Sequence, residues 1–274
     1  MVEVLVVIAL IGILAALLLP ALGRAKARAQ GISCLNNTRQ LCYAWILYAN
    51  DHDDRLAYNL GGDSTRKTVA PRTNVNWVNN IMTWELDSDN TNMATITDAA
   101  LGQYANRSTS IYRCPSDYTL SSYQKQAGWS SRVRSYSMNA MVGDAGELSA
   151  SGSNQNNPGY VQFFKMGLIP KPSEIFVFLD EHPDSINDGY FLNRAAERKW
   201  IDLPASYHDG AASFAFADGH SRIKKWSVTS TKVAARPDAA ILPLYLPKTD
   251  VADFNWVIDH MSVDNGSIGT SHGY

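Results

Sequence analysis

An uncharged run of apolar residues, from Val4 to Leu22, dominates the hydrophobic pattern of the chain. At about 1.5 Å per residue, a helix of this length approaches the roughly 30 Å of a bilayer hydrocarbon core. Basic residues follow the run at Arg24, Lys26 and Arg28, and no small-residue cleavage site ends it, which differs from a cleaved secretory signal. The pattern therefore predicts a transmembrane helix over residues 1–23 that stays in the mature protein.

Apolar residues recur at helical spacing beyond this run, as far as about Asn50. The members of this stripe are Ile32, Leu35, Cys42, Trp45, Ile46 and Ala49. Because charges and amides occupy the other face, residues 24–50 are predicted to form the amphipathic half of the same helix, with its apolar face against a globular domain. Pro20 removes a helix hydrogen bond and Gly12 is a second weak point, which predicts a kink.

Short apolar runs bounded by turn residues predict the strands. The clearest core strand covers Ile175 to Leu179, and a second covers Ser213 to Ala217. Asp218 and Gly219 separate the second strand from a third at Ile223 to Val228, as in the turn of an antiparallel hairpin. Weaker patterns predict strands within 111–117 and 132–139.

These elements predict an α+β fold in which an antiparallel β-sheet lies on the long helix. The head domain is expected to cover residues 51–230. The pattern fades after that, so residues 231–274 are expected to form a C-terminal extension or a surface for subunit contacts, frayed beyond about Asp264.

Composition narrows the possible functions. The chain has 274 residues, of which 45% are hydrophobic and 18% charged, and its net charge of -2 gives no electrostatic reason to expect nucleic acid as a partner. No phosphate-binding loop and no dinucleotide fingerprint are present in the sequence. With three cysteines, at most one internal disulfide can form, and all three thiols could equally be small buried groups.

Glu3 stands directly before the apolar run. A carboxylate at the mouth of a membrane helix costs free energy in lipid unless another group pairs with it, which makes Glu3 a functional candidate. Alternatively, Glu3 lies at headgroup level and simply favours the N-terminus of the helix.

Polar side chains gather at the ends of the predicted strands. The candidates for a metal site are Asp180, Asp184, His208, Asp218 and His220. Imidazole and carboxylate groups that converge could bind Zn²⁺ and activate water, whereas Ca²⁺ would favour the carboxylates and amides after the first strand. The third interpretation is structural: His208 and Asp218 hydrogen-bond across the hairpin while Gly219 supplies a positive φ.

Both ends of the chain resemble one family. The segment MVEVLVVIALIGILAALLLPALGRAKARAQGISCLNN resembles the N-terminus of type IV pilins and type II secretion pseudopilins, especially the large pseudopilin-like proteins of planctomycetes and verrucomicrobia. YHDGAASFAFADGH contains the H-x9-DG signature, at residues 208–219, that marks the C-terminal region of the same proteins. The resemblance implies a pilin-like fold and a leader that a prepilin peptidase removes before the new N-terminus is methylated; Met1 falls two residues after that expected N-terminus.

The resemblance also implies roles for individual residues. Glu3 matches the glutamate that pairs with the terminal amine of a neighbouring subunit and sets axial register, and Pro20 matches the kink proline. Cys34 and Cys114 match two cysteines that recur in the family, which points to a disulfide between them; an oxidising environment would permit it.

We therefore expect a structural subunit of a type IV pilus-like filament or a type II secretion pseudopilus, and not an enzyme. Its partners would be other pilin-like subunits and the assembly machinery. It would lie in the inner membrane before assembly and in a periplasmic or cell-surface filament afterwards. The alternative is a membrane-anchored periplasmic metal-dependent hydrolase or carbohydrate-binding domain that uses the aspartates and histidines.

Overall fold

A computed structural model describes residues 2–62, 64–65, 75–237 and 242–268. The first element is one helix of 50 residues, α1 (Val2–Asp51), which continues through Gly12 and Pro20. The prediction of one continuous helix that ends near Asn50 is therefore confirmed, while its insertion in a membrane and its kink stay predictions. Among the described residues, α1 is long and apolar enough to cross a membrane, a property that signal sequences near an N-terminus share.

The two halves of α1 differ in their surroundings. Residues 2–26 are exposed along their whole length, including large apolar side chains such as Leu18. From Gly31 onward one stripe of the helix is buried. Its members are Gly31, Cys34, Thr38, Leu41, Cys42, Ala44, Trp45 and Ala49. Steps of three and four residues keep this stripe on one face, so the second half of α1 packs on the head while the first half projects from it.

The head is an α+β domain built on a five-stranded sheet. The strands along the chain are β1 (Tyr136–Asn139), β2 (Phe176–Asp180), β3 (Tyr190–Phe191), β4 (Lys199–Trp200), β5 (Ala211–Phe216), β6 (Ser221–Lys225) and β7 (Leu244–Tyr245). The order in the large sheet is β3-β1-β2-β5-β6, and β4 pairs with β7 in a separate ladder. The short helices are α2 (Ala94–Thr97), α3 (Ser122–Gln126), α4 (Ala252–Asp259) and α5 (Asn265–Ile268).

The sheet is mixed and not purely antiparallel as predicted. β1–β2, β2–β5 and β5–β6 are antiparallel, but β3 lies parallel to β1. The expected strand at 111–117 is also wrong, because this segment begins with a 3-10 helix, Ser110–Tyr112, and continues as a turn. The predicted hairpin of β5 and β6 is confirmed, with Gly219 at φ +90° in its turn.

The sheet is covered on both faces, which explains why β2 and β5 are buried at every position. Val177 and Phe178 belong to the core shared with α1, whereas Phe176 and Phe214 belong to a second core on the other face. Helix α4 contributes Phe254 to this second core. Part of the expected C-terminal extension therefore packs as an integral layer of the head; its last residues, 269–274, lie outside the described residues.

The buried stripe of α1 leads to a stability prediction. Trp45 is fully buried, and its indole N–H has no hydrogen-bond partner among the described residues. Trp45→Ala should lower the free energy of unfolding by about 3–5 kcal/mol, because it leaves a cavity between helix and sheet. Trp45→Phe should cost much less, because it keeps an aromatic ring and removes the unpaired donor. Thermal and denaturant unfolding of the full chain in detergent measures both; Leu47→Ala, on the half-exposed side of α1, is the control.

Candidate metal centre beneath the long helix

Four buried side chains from four separate parts of the fold meet under α1. They are Cys34 of α1, Cys114 in the turn after Ser110–Tyr112, Asp180 at the end of β2, and His208 in the loop before β5. One potential ligand atom from each lies within 4.8 Å of all the others. The cluster therefore connects the long helix with the sheet and with two loops.

The contacts within the cluster are close. The Cys34 thiol donates to the Asp180 carboxylate, with Sγ 2.9 Å from Oδ2 and 3.0 Å from Oδ1. His208 Nε2 lies 3.5 Å from Asp180 Oδ2 and 3.4 Å from the Cys114 sulfur. The second ring nitrogen, Nδ1, has no partner among the described residues, so the polar contacts of this imidazole are made by Nε2.

A second layer of polar groups holds these side chains. The Tyr136 hydroxyl donates to Cys34 Sγ at 3.1 Å, and the backbone N–H of Ser213 donates to Asp180 Oδ2 at 3.1 Å. The Ser213 hydroxyl lies 3.2 Å from the same sulfur. Because Tyr136 pairs with Asp180 across the β1–β2 ladder, strand register itself aligns these groups.

Local sequence explains how α1 comes so close to His208. Gly31 lies one turn before Cys34 on the same face of the helix. A Cβ at Gly31 would stand 3.4 Å from Cγ of His208 and 3.3 Å from Cδ1 of Ile223. The missing side chain therefore lets the helix backbone pack directly over the imidazole.

Burial and charge act together on the titratable groups. Burial raises the pKa of the Cys34 thiol well above its ordinary value, and Cys114 and Asp180 raise it further. For His208, burial opposes the charged form, but hydrogen bonds to Asp180 and Cys114 outweigh it and raise its pKa to about 10. The protonated cluster therefore places an imidazolium against the Asp180 carboxylate and keeps the Cys34 thiol neutral.

This donor set could hold a metal ion. Around a tetrahedral Zn²⁺ with bonds of about 2.0–2.3 Å, neighbouring ligand atoms lie about 3.3–3.8 Å apart. The separations of Cys114 Sγ and Asp180 Oδ2 from His208 Nε2, 3.4 and 3.5 Å, fall in this range, that of 2.9 Å between Cys34 Sγ and Asp180 Oδ2 is shorter, and all four ligand atoms lie within 4.8 Å of one another. The side chains are therefore near the positions that tetrahedral coordination requires.

The structure brings together only two of the five predicted metal residues, Asp180 and His208. Asp184 instead accepts a hydrogen bond from the backbone N–H of Arg236 at 2.9 Å. Asp218 and His220 contact each other in the partly exposed hairpin turn, with Oδ1 2.6 Å from Nδ1. The prediction of one metal site made of all five residues is therefore wrong.

The hydrogen bond predicted between His208 and Asp218 is also wrong. His208 faces Asp180 instead, because the loop before β5 lies at the end of β2. Asp218 does stabilise the turn, but through His220, whose backbone N–H donates to its Oδ1 at 3.0 Å. Within the H-x9-DG segment, Asp218 therefore belongs to a local turn, whereas His208 belongs to the buried cluster.

No sequence pattern placed the two cysteines beside Asp180 and His208. The resemblance paired Cys34 with Cys114, and the structure places both sulfurs in one cluster as free thiols. Their disulfide stays a prediction. The position of Cys34 on the buried stripe of the helix was the available signal that its thiol faces the sheet.

Comparison with known protein families, with curated proteins and with solved structures finds no match to this chain.

A contrast between two aspartates tests the importance of the cluster for stability. Asp180→Ala should lower the free energy of unfolding by about 3–5 kcal/mol, because it strands a buried imidazole and breaks the bonds to Cys34 and Ser213. Asp218→Ala should cost no more than about 1 kcal/mol, because its partner is partly exposed. Unfolding of the full chain in detergent measures both. Equal losses would contradict the assignment of Asp180 to the centre of the cluster.

Proposed function

We propose that this chain is a structural subunit of a type IV pilus-like or type II secretion pseudopilus filament, assembled through the first half of α1. One observation carries the proposal: a single unbroken helix has an exposed apolar half, residues 2–22, and a second half buried in the head. The head is thus fixed to an apolar rod that it leaves uncovered.

Burial of this rod supplies the driving force. Apolar surface gains about 25 cal/mol per Å² when it leaves water, so an exposed helix of this length requires a covering environment. Lipid covers it before assembly, and the helices of neighbouring subunits cover it afterwards. Subunits added head to tail without closure form a helical filament and not a ring.

Glu3 supplies the specificity of this packing. It is the only charged residue between positions 2 and 22. In an apolar bundle its carboxylate needs a partner, and the terminal amine of a neighbouring subunit is the partner that the resemblance implies. This pair fixes the axial step between subunits, whereas apolar packing alone would tolerate sliding.

The buried cluster favours a structural role over the alternative of a metal-dependent hydrolase. A catalytic metal needs a position open to water and substrate, but all four side chains of the cluster are buried. The nearby surface groove lined by Ser33, Asn37 and Arg113 is lined by none of the four. The donor set is therefore arranged as an enclosed site.

The tryptophans likewise give little support to a carbohydrate-binding domain. Trp45, Trp77 and Trp200 are fully buried. Two of the three partly exposed tryptophan rings carry side chains on their faces: the Arg132 guanidinium lies 4.0 Å from the Trp84 centroid, and Trp256 is stacked with His260 at 4.1 Å. Trp129 is the third. Sugar stacking would require open ring faces.

Filaments sheared from the source cells test the proposal directly. Electron microscopy and mass spectrometry of the sheared material should show thin filaments that contain this chain. Filaments that lack the chain, together with its retention in the membrane fraction, would contradict a role as filament subunit and favour an anchored domain.

The register role of Glu3 gives a sharper prediction. Glu3→Gln keeps the shape of the side chain and removes its charge, so membrane insertion should be unchanged while filament yield falls at least about tenfold, the equivalent of about 1.4 kcal/mol per assembly step. Glu85→Gln makes the same change at an exposed head position and should assemble normally. Membrane fractionation and the yield of sheared filaments measure the two effects. Normal yield from Glu3→Gln would refute the register role.

A further inference from the structure

We propose that Cys34, Cys114, Asp180 and His208 form a four-coordinate structural Zn²⁺ site that fastens the second half of α1 to the head. The inference does not rest on filament assembly, because it concerns the fold of a single subunit. The proposed site lies at the interface of helix and sheet, and it shares only Asp180 and His208 with the site predicted at the strand ends.

The donor atoms select the metal. Two sulfurs, one imidazole nitrogen and one carboxylate oxygen meet in the cluster. Thiolates suit Zn²⁺, which also accepts imidazole and carboxylate ligands in tetrahedral sites. Ca²⁺ and Mg²⁺ require shells made of oxygen atoms, which this cluster does not offer. The composition of the site therefore favours Zn²⁺ over the calcium alternative.

The contacts of Asp180 and His208 need only small adjustments to accept the ion, and all four ligand atoms already lie within 4.8 Å of one another. Cys114 Sγ and Asp180 Oδ2 lie 3.4 and 3.5 Å from His208 Nε2, near the tetrahedral edges of about 3.3–3.8 Å. The contact between Cys34 Sγ and Asp180 Oδ2, at 2.9 Å, is shorter, as expected for a thiol that donates to a carboxylate. When the thiol proton leaves, this contact opens towards the metal-bound separation.

The surroundings of the cluster suit a closed structural site. Coordination replaces the thiol protons with the ion, and the resulting thiolates need hydrogen-bond donors. Tyr136 donates its hydroxyl proton to Cys34 Sγ, and Ser213 holds Asp180 through its backbone N–H. Such second-layer groups orient ligands and tune the affinity of metal sites. Here they come from β1 and β5, which flank β2 on either side.

The position of the site gives it a mechanical consequence. Cys34 and Asp180 are separated by 146 residues, so the ion would close a long loop of the chain. No such site exists in the unfolded chain, and metal binding therefore adds directly to folding stability. Because Cys34 lies on α1 and the other ligands lie on the head, the ion would also fix the direction in which the membrane helix leaves the head.

The test uses the full chain purified in detergent under reducing conditions. Inductively coupled plasma mass spectrometry should find one zinc ion per chain. After chelation, Zn²⁺ should restore a higher unfolding temperature and Ca²⁺ should not. Co²⁺ should give the visible absorption bands of a tetrahedral sulfur-ligated ion. Absence of zinc at saturating Zn²⁺, or an equal response to Ca²⁺, would overturn the proposal.

Variants assign the ligands. Cys114→Ser and His208→Ala should abolish the Co²⁺ bands and stoichiometric zinc. Cys42→Ser is the matched control, because Cys42 is equally buried on α1 but donates to the backbone carbonyl of Phe216 and lies outside the cluster. Cys114→His keeps a zinc ligand and should retain zinc if loss of ligation, and not of folding, explains the serine variant. Zinc retained by Cys114→Ser would refute the assignment.

A graded variant and a thiol assay complete the test. Tyr136→Phe leaves the four ligands intact and should weaken zinc affinity about 10–100-fold through loss of its hydrogen bond to Cys34. For the thiol assay a second preparation is purified without reductant; its alkylation after denaturation and removal of zinc, followed by mass spectrometry, should label Cys34 and Cys114. A chain isolated without zinc, with these two thiols unlabelled and joined, would show the disulfide instead and overturn the proposal.

Discussion

The packing of one helical stripe on one face of the sheet is the constraint on which the rest of the structure depends. In its first half α1 is apolar on all sides and exposed, and from Gly31 onward it buries a single stripe against β2 and β5. Because the helix is continuous, the head and the exposed rod form one body. Any environment that covers the rod therefore sets the orientation of the head, and any contact that holds the stripe also holds the rod.

Local patterns made the elements nearest this interface predictable. The long helix, β2, β5 and the Asp-Gly turn follow from hydrophobic periodicity and turn chemistry within short windows of sequence. β3 carries no such signal, because it is only Tyr190–Phe191 and owes its existence to parallel pairing with β1. Helix α4 was missed for a related reason: it has only eight residues, and the second core that its apolar side chains fill is visible only once the sheet has formed.

The residues of the candidate site also fall into some that local sequence predicts and some that it does not. Asp180 and His208 were predictable as polar residues beside buried strands, and Asp218 and His220 as neighbours in a turn, where one residue separates them in sequence and 2.6 Å separates their side chains. Cys34 and Cys114 were not predictable as members of this group, because a buried thiol has the pattern of a small apolar residue. Their convergence depends on how α1 lies on the sheet, and Gly31 makes the close approach possible.

The position of the cluster would link the stability of a single subunit with the proposed assembly. Force applied to a subunit through its apolar rod reaches the head across the buried stripe, where apolar contacts resist separation but permit sliding more readily than directional bonds do. The contacts of Cys34 with Asp180 and of His208 with Asp180 are directional and lie on this path. Coordination by one ion would make them mutually dependent, since each ligand holds the same centre. In the proposed filament, a subunit that leaves lipid with its helix and head in fixed relation would gain most from such a centre at the interface that the cluster occupies.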